Sequence, residues 1–197
     1  MRSRLLGLLA ASLVGFAATA CGNGSLAPTG STNAASGAPA SGSGAPAGFE
    51  VFTSTSPAFT IAHPSGWNTK TDVSGAIVAF VTPRSGSSDQ FSENVNVLTE
   101  TVPQGTTLEQ YTAASLANAD SVIQNFQKLS SSTTTLSGLP AQRMEYSGSV
   151  SGKSLQFLAE WAVSGTTAWV LTYSAEPPSY QQYLSDATAT IQSFKLG

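Results

Sequence analysis

The sequence has one cysteine, Cys21, and one histidine, His63. An internal disulfide is therefore excluded, and the two residues cannot assemble a zinc site. Charged residues make up only 10% of the 197 positions, against roughly 25% in a typical globular protein. Disorder driven by charge needs high net charge and few apolar groups, whereas 41% of this chain is hydrophobic. No Lys/Arg cluster follows Arg4. The basic footprint of a nucleic-acid partner is missing, and so is a polybasic attraction to anionic headgroups. No Gly-rich phosphate loop, dinucleotide fingerprint or metal-ligand cluster can be read, so neither a cofactor nor a metal is expected. The surface must be built from Ser, Thr, Gln and Asn, as in a secreted domain with a neutral, hydrogen-bonding exterior.

The first 20 residues follow another pattern. Arg2 and Arg4 precede an apolar stretch from Leu5 to Ala18, and Ala18-Thr19-Ala20 places small residues before Cys21. Positive, apolar, then small is the layout of a secretory signal, and the apolar run is short for a membrane span. Small residues ahead of a lone cysteine resemble the bacterial lipobox, although Ala18 stands where that motif usually has Leu. The resemblance implies cleavage between Ala20 and Cys21 and thioether attachment of diacylglycerol to Cys21. Secretion with a free thiol is the alternative. Two acyl chains, at ~0.8 kcal/mol per buried methylene, anchor firmly where one would exchange. The expected location is the extracytoplasmic face of the cell membrane, lipid-anchored. Loss of Arg2 and Arg4 leaves six basic residues against 11 acidic, a formal charge of −5.

Residues 21–48 read as the lipidated cysteine and a linker. Gly22 to Gly48 is nearly all Gly, Ser, Ala, Pro, Thr and Asn, with Leu26 as its only large apolar residue. A flexible coil of that length has an r.m.s. span of about 30 Å. Thr29, Ser31, Thr32, Ser41 and Ser43 are either O-glycosylation candidates or plain linker hydroxyls.

The folded domain is expected over 49–197. Phe59 to Ala62 reads as a strand closed by the turn His63-Pro64-Ser65-Gly66-Trp67. Ala76 to Thr82 is a continuous apolar run, as in a strand buried on both faces. A polar loop spans Arg84 to Gln90. Val95, Val97 and Thr99 alternate with Asn94, Asn96 and Leu98, which suits a strand with one face less buried. Thr106 and Glu109 predict a capping box. Leu108, Tyr111, Ser115, Ala119, Val122 and Phe126 then predict a helix from about Thr107 to Phe126. Gln142–Val150, Lys153–Ser164 and Thr166–Ala175, with tight breaks between them, predict an antiparallel meander. After Pro177-Pro178, Ser179 is expected to cap a final helix with Tyr180, Leu184, Ala187, Ile191 and Phe194 on one side. The result is an α+β domain with an antiparallel sheet. The doubly apolar Ile77–Val81 run favours helices on both faces.

Several short motifs in this order resemble the PsbP-like fold. They are Phe59-Thr60-Ile61-Ala62 leading to His63-Pro64-Ser65-Gly66-Trp67, then Leu108-Glu109-Gln110-Tyr111, then Leu136-Ser137-Gly138-Leu139-Pro140-Ala141, and finally Ile191-Gln192-Ser193-Phe194. Within that fold the chain is most similar to the LpqN/LpqT-type lipoproteins of mycobacteria and related actinobacteria. His63 stands where that family often has Tyr. The resemblance implies an α/β/α sandwich and an envelope accessory that binds lipids or glycolipids or assists membrane transport complexes. It supplies no catalytic motif.

Candidates for chemistry are few. His63 with Ser65 and Asp72 is the only imaginable triad, and Ser65 lies two residues away across a proline turn, a poor geometry. Carboxylate pairs for glycoside hydrolysis would come from Asp89 and Glu93, or from Glu145 and Glu160 facing each other on neighbouring strands. Trp67, Trp161 and Trp169 are candidates for lining an acyl or sugar pocket; their same-face patterns equally suit core positions. No catalytic residue is assigned, and the protein is expected not to be an enzyme. A non-catalytic envelope lipoprotein that binds lipid or glycolipid ranks first. A protein-interaction or assembly module for a membrane transport complex ranks close behind, and a hydrolase third.

Overall fold

A computed structural model describes residues 45–73, 75–86 and 91–197. The expected signal peptide at 1–20, the cleavage and lipidation site Ala20–Cys21, the linker hydroxyls and Asp89 lie outside these residues.

The described chain forms two antiparallel sheets and three helices. The smaller sheet joins β1 (Phe49–Thr55), β2 (Ala58–Pro64) and β10 (Lys195–Leu196), with β2 in the middle. The larger contains β3 (Asn68–Lys70), β4 (Val78–Val81), β5 (Asn94–Thr101), β6 (Gln124–Leu136), β7 (Leu139–Val150), β8 (Lys153–Ser164) and β9 (Thr167–Ala175). Its strand order is β3-β4-β5-β9-β8-β7-β6. Helices α1 (Leu108–Ala117) and α2 (Ala119–Val122) fall between β5 and β6, and α3 (Pro177–Gln192) follows β9.

Alternation along the strands divides the core into two layers. Val95, Val97, Leu158, Leu171 and Tyr173 face α3 and the smaller sheet, together with Phe59, Ile61 and Ile191. Leu98, Met144, Phe157, Trp161 and Val170 face the opposite way, with Tyr111 of α1 and Ile123. The expected cover on both faces is found, and it explains why all four residues of β4 are buried. The meander is closed by tight turns. Ser151 and Gly152 both have positive φ (50° and 79°), as do Ser137 and Gly138 (52° and 79°), the backbone that a two-residue hairpin turn demands.

Three expectations need correction. The helix expected to Phe126 ends far earlier: Asn118 caps α1, its side-chain amide donating to the Ala114 carbonyl at 2.8 Å, and Ile123 is already extended. Phe126 belongs to β6 and packs on Tyr146 at 5.5 Å. The capping box is shifted by one residue. Thr107 accepts from the Gln110 amide at 3.2 Å, and the Gln110 side chain accepts from the Thr107 N–H at 3.0 Å. For α3 the cap position is Glu176 instead of Ser179, without a side-chain bond, and Pro177-Pro178 opens the helix directly after β9 ends at Ala175. Four strands, β1, β3, the 13-residue β6 and the two-residue β10, have no counterpart in the sequence reading.

The chain enters β6 by crossing close over β7. A Cβ on Gly148 would collide with the Ile123 side chain and lie 3.0 Å from the Gln124 carbonyl oxygen. Gly148 therefore lets α2 and β6 lie against the sheet.

Candidate functional site

The polar groups proposed from sequence are mostly spoken for. In the β7–β8 ladder Glu160 lies opposite Leu171 and Arg143, and Glu145 lies opposite Leu158. The two carboxylates share a face but do not pair with each other. Arg143 Nη1 donates to Glu160 Oε1 at 2.7 Å. The Tyr180 hydroxyl of α3 donates to Glu145 Oε2 at 3.1 Å, and Tyr173 donates to the Tyr180 carbonyl at 3.0 Å. Burial raises the Glu160 carboxyl above its usual range, and the Arg143 bond and charge work against that. Burial also raises the Tyr180 hydroxyl, with Glu145 adding to the effect. The bonds at Tyr180 hold α3 to the sheet. Glu93, buried in β4–β5 territory, accepts from Thr82 at 3.2 Å.

His63 is buried at the junction of the two sheets. Nδ1 lies 3.1 Å from the Pro64 carbonyl, which makes it the protonated nitrogen. Nε2 lies 3.2 Å from Thr69 Oγ1 and 3.4 Å from Glu50 Oε1. The ring stacks on Phe80 at 4.2 Å. Burial lowers the imidazole pKa, while the Pro64 bond and Glu50 partly restore it. Ser65 and Asp72 are exposed and are not among its partners. An imidazole fixed between β1, β2, β3 and β4 acts as a packing element.

The three tryptophans do not converge. Trp161 faces α1, where its Nε1–H donates to Thr112 Oγ1 at 2.8 Å. Trp169 lies on the opposite face, between Phe59 at 5.7 Å and Phe194 at 5.3 Å. Trp67 shares that layer and meets Tyr183 edge-on at 6.1 Å. All three are buried, so the sheet separates Trp161 from the others.

One feature with room for a ligand was not announced by the sequence. A groove of about 620 Å³ opens between β1–β2 and the C-terminal turn of α3. Val51, Thr60, Ile61, Ala62, Ala189 and Gln192 line it. Ala45 and Pro46, where the expected tether reaches the domain, stand on its rim. Val51 is 42% exposed, one of two large apolar side chains left open to solvent among the described residues. The Ser193 hydroxyl accepts from the Ala62 N–H at 2.7 Å and donates to the Thr190 carbonyl at 2.6 Å, which fixes the end of α3 to β2. Among the described residues that line it, Lys195 is the charged one, and none carries an imidazole or carboxylate. Such a groove can hold an apolar chain. Its signal in the sequence was the exposed-side valine of a strand that went unread.

Among the described residues no helix is long and apolar enough to cross a membrane, and no group of three or more His, Cys, Asp or Glu is placed to hold a metal ion.

Comparison with known proteins agrees with this architecture. The cyanobacterial PsbP, CyanoP, of Synechocystis superposes with a TM-score of 0.55 at 17% identity, covering 79% of this chain and 96% of that one. LpqN of Mycobacterium tuberculosis, described as involved in cell envelope biogenesis, gives 0.51 at 16% identity, covering 78% and 87%. The Ran-binding protein Mog1p of Saccharomyces cerevisiae gives 0.52 at 10% identity, covering 75% and 95%. At these identities the likeness is one of fold, and the fold is PsbP-like. No curated protein sequence matches the chain. A family model described as DcrB matches residues 60–193, from β2 to the end of α3. That match takes in more than half of the chain, which belongs to the DcrB family.

Proposed function

We propose that this protein is a lipid-anchored accessory of the cell envelope, of LpqN/LpqT type, that binds the acyl part of a lipid or glycolipid without turning it over. The observation that carries the reading is the apolar groove beside Val51, whose rim is formed by the end of the expected tether. A domain held at Cys21 by a linker spanning about 30 Å would keep that groove within reach of the outer leaflet. The chemistry agrees, since the groove offers apolar walls. Its likeness in fold to LpqN, whose description concerns cell envelope biogenesis, also supports an envelope role.

The test is displacement of a fluorescent acyl lipid from the full mature chain and from a Val51→Glu variant. Val51 is open to solvent, so the variant keeps the fold while placing a charge in the groove. Saturable binding that weakens at least tenfold in the variant supports the reading. Absence of binding, or equal binding by both proteins, refutes it.

A second reading, a docking module for a membrane transport complex, has its own observation. β6 ends the larger sheet, and Leu129 on it is 52% exposed. An edge strand of this length with an open apolar side chain is a template for strand addition. Photo-cross-linking from position 129 in cells tests it. Recovery of a specific envelope protein supports docking, and recovery of lipid alone removes it.

A further inference from the structure

We propose that the ligand of the groove at Val51 is an anionic amphiphile, an acyl chain ending in a carboxylate or phosphate, whose oxyanion is held by Lys195. This assignment of the head group rests on the acyl-binding reading and adds to it. The residues that carry it all line the groove: Val51, Ala62 and Ala189 supply apolar wall, and Thr60, Gln192 and Lys195 supply polar groups.

Strand register sorts these groups along the groove. In the smaller sheet Val51 pairs with Ala62, and Lys195 pairs with Thr60. Directly opposed residues share a face. Phe52 pairs with Ile61 and Leu196 with Phe59 on the inner face, packed into the core. Val51, Ala62, Thr60 and Lys195 therefore lie on the outer face, in two rows. The rows are two residues apart along β2, roughly 7 Å. An apolar row is thus followed by a hydroxyl and an ammonium, and the last turn of α3 flanks them with Ala189 and Gln192. An acyl chain laid on Val51 and Ala62 brings the head group at its end to Lys195.

The polar groups are open to such a head. Lys195 and Gln192 are exposed and Thr60 is half-buried, and among the described residues no bond engages their side chains. All three carry N–H or O–H donors. The end of α3 makes no demand on the lysine, because its carbonyls at Ala189, Thr190 and Ile191 already accept from the Ser193 and Phe194 N–H groups. The surrounding charge leaves Lys195 unneutralised. Residues 5–44, which lead to the rim and lie outside the described residues, contain no Asp, Glu, Lys or Arg, and Arg2 and Arg4 before them are basic. Glu50 pairs with His63 on the inner face. Asp186, three residues before Ala189 on α3, does not line the groove. The Gly197 carboxylate stands a row beyond Thr60, where the Gly197 N–H donates to the Ala58 carbonyl at 3.1 Å; among the described residues it makes no ion pair with Lys195. An ammonium with two neutral donors beside it, at the end of an apolar row, selects an oxyanion over an uncharged head group.

The experiment measures displacement of cis-parinaric acid from the full mature chain by dodecanol, dodecanoate and dodecyl phosphate. The three share one chain and differ in head group. Displacement by dodecanol tests the groove, and the gap between it and the two anions tests the head-group site. At least one anion binds about fivefold more tightly than dodecanol, the upper range for an exposed ion pair. The tighter of the two assigns a carboxylate or a phosphate head. Lys195 is exposed, so Lys195→Gln keeps the fold; it removes the gap and leaves dodecanol binding as in the parent. Equal binding of all three by the parent, or a gap that survives in Lys195→Gln, overturns the head-group assignment and leaves the acyl reading standing. Displacement by none of the three overturns both.

Discussion

Replacing Arg143 with methionine strands a buried carboxylate. Glu160 has a side chain only 2% exposed, and Arg143, 24% exposed, holds it at 2.7 Å. Its cross-strand neighbour is Leu171, and the apolar layer under α3 continues on the same face. Removing one partner of a buried ion pair costs ~3–5 kcal/mol. Partial exposure of Arg143 lets water screen the pair, so about 3 kcal/mol is the expected loss for Arg143→Met. In a domain of this size each kcal/mol shifts the Tm by ~2–4 °C, which puts the variant roughly 6–12 °C lower. Arg143→Met with Glu160→Met removes both charges and returns to within about 1 kcal/mol of the parent, because a well-packed apolar pair replaces an ion pair at little cost. The pH response has a definite sign. The folded carboxyl lies above its unfolded value, so its contribution is complete below the unfolded value and is lost as pH rises through the folded one. The deficit of the single variant therefore shrinks toward acid pH. Urea and thermal unfolding followed by circular dichroism provide the measurement. A single variant within about 1 kcal/mol of the parent near neutrality, or a double variant no better than the single, refutes the buried-pair account.

Other positions give sharper local tests. Burial depresses the His63 imidazole below its ordinary value of 6.5, so its contribution is present above that value and is lost as pH falls through the folded one. The urea midpoint should decline across this window in the parent and decline less in His63→Gln; equal slopes would contradict the depression of the imidazole by burial. Gly148→Ala forces Ile123 and the start of β6 away from β7 and should cost ~1–3 kcal/mol in urea unfolding. A loss under about 0.5 kcal/mol would mean the crossing is not close. Trp161→Phe removes the bond to Thr112 and leaves space under α1, for a loss of about 1–3 kcal/mol and faster amide exchange in that helix. Unchanged exchange in α1 would show that Trp161 does not fasten it.

The elements legible in the sequence were those with one buried and one open face. β8 falls on Lys153–Ser164 as its alternation predicts, and β7 and β9 differ from the expected ranges by a few residues at most. β6 was not legible because Ser130 to Thr135 lies at a sheet edge, exposed nearly throughout, so neither face needed apolar residues. Phe126 misled for the opposite reason. It follows Val122 by four residues, a helical spacing, yet its contact with Tyr146 is made across two strands. Asn94 and Asn96 matched the expected alternation, but the face they occupy is buried. The groove could not be read at all. Val51 and Ala189 are brought together only when α3 folds back on the smaller sheet, and no local pattern records that contact. Register also decided the carboxylates, because only the β7–β8 pairing places Glu160 against Arg143.

The account's central claim, that the anchored domain carries an acyl lipid in the groove beside its tether, is tested most directly by native mass spectrometry. The full-length protein and its Val51→Glu variant would be extracted from their own envelope in mild detergent and weighed intact. The account predicts a lipidated protein with a bound lipid adduct, and a variant that keeps the covalent lipid but loses the adduct. A parent protein without any adduct, or a variant that retains it in full, would contradict the account.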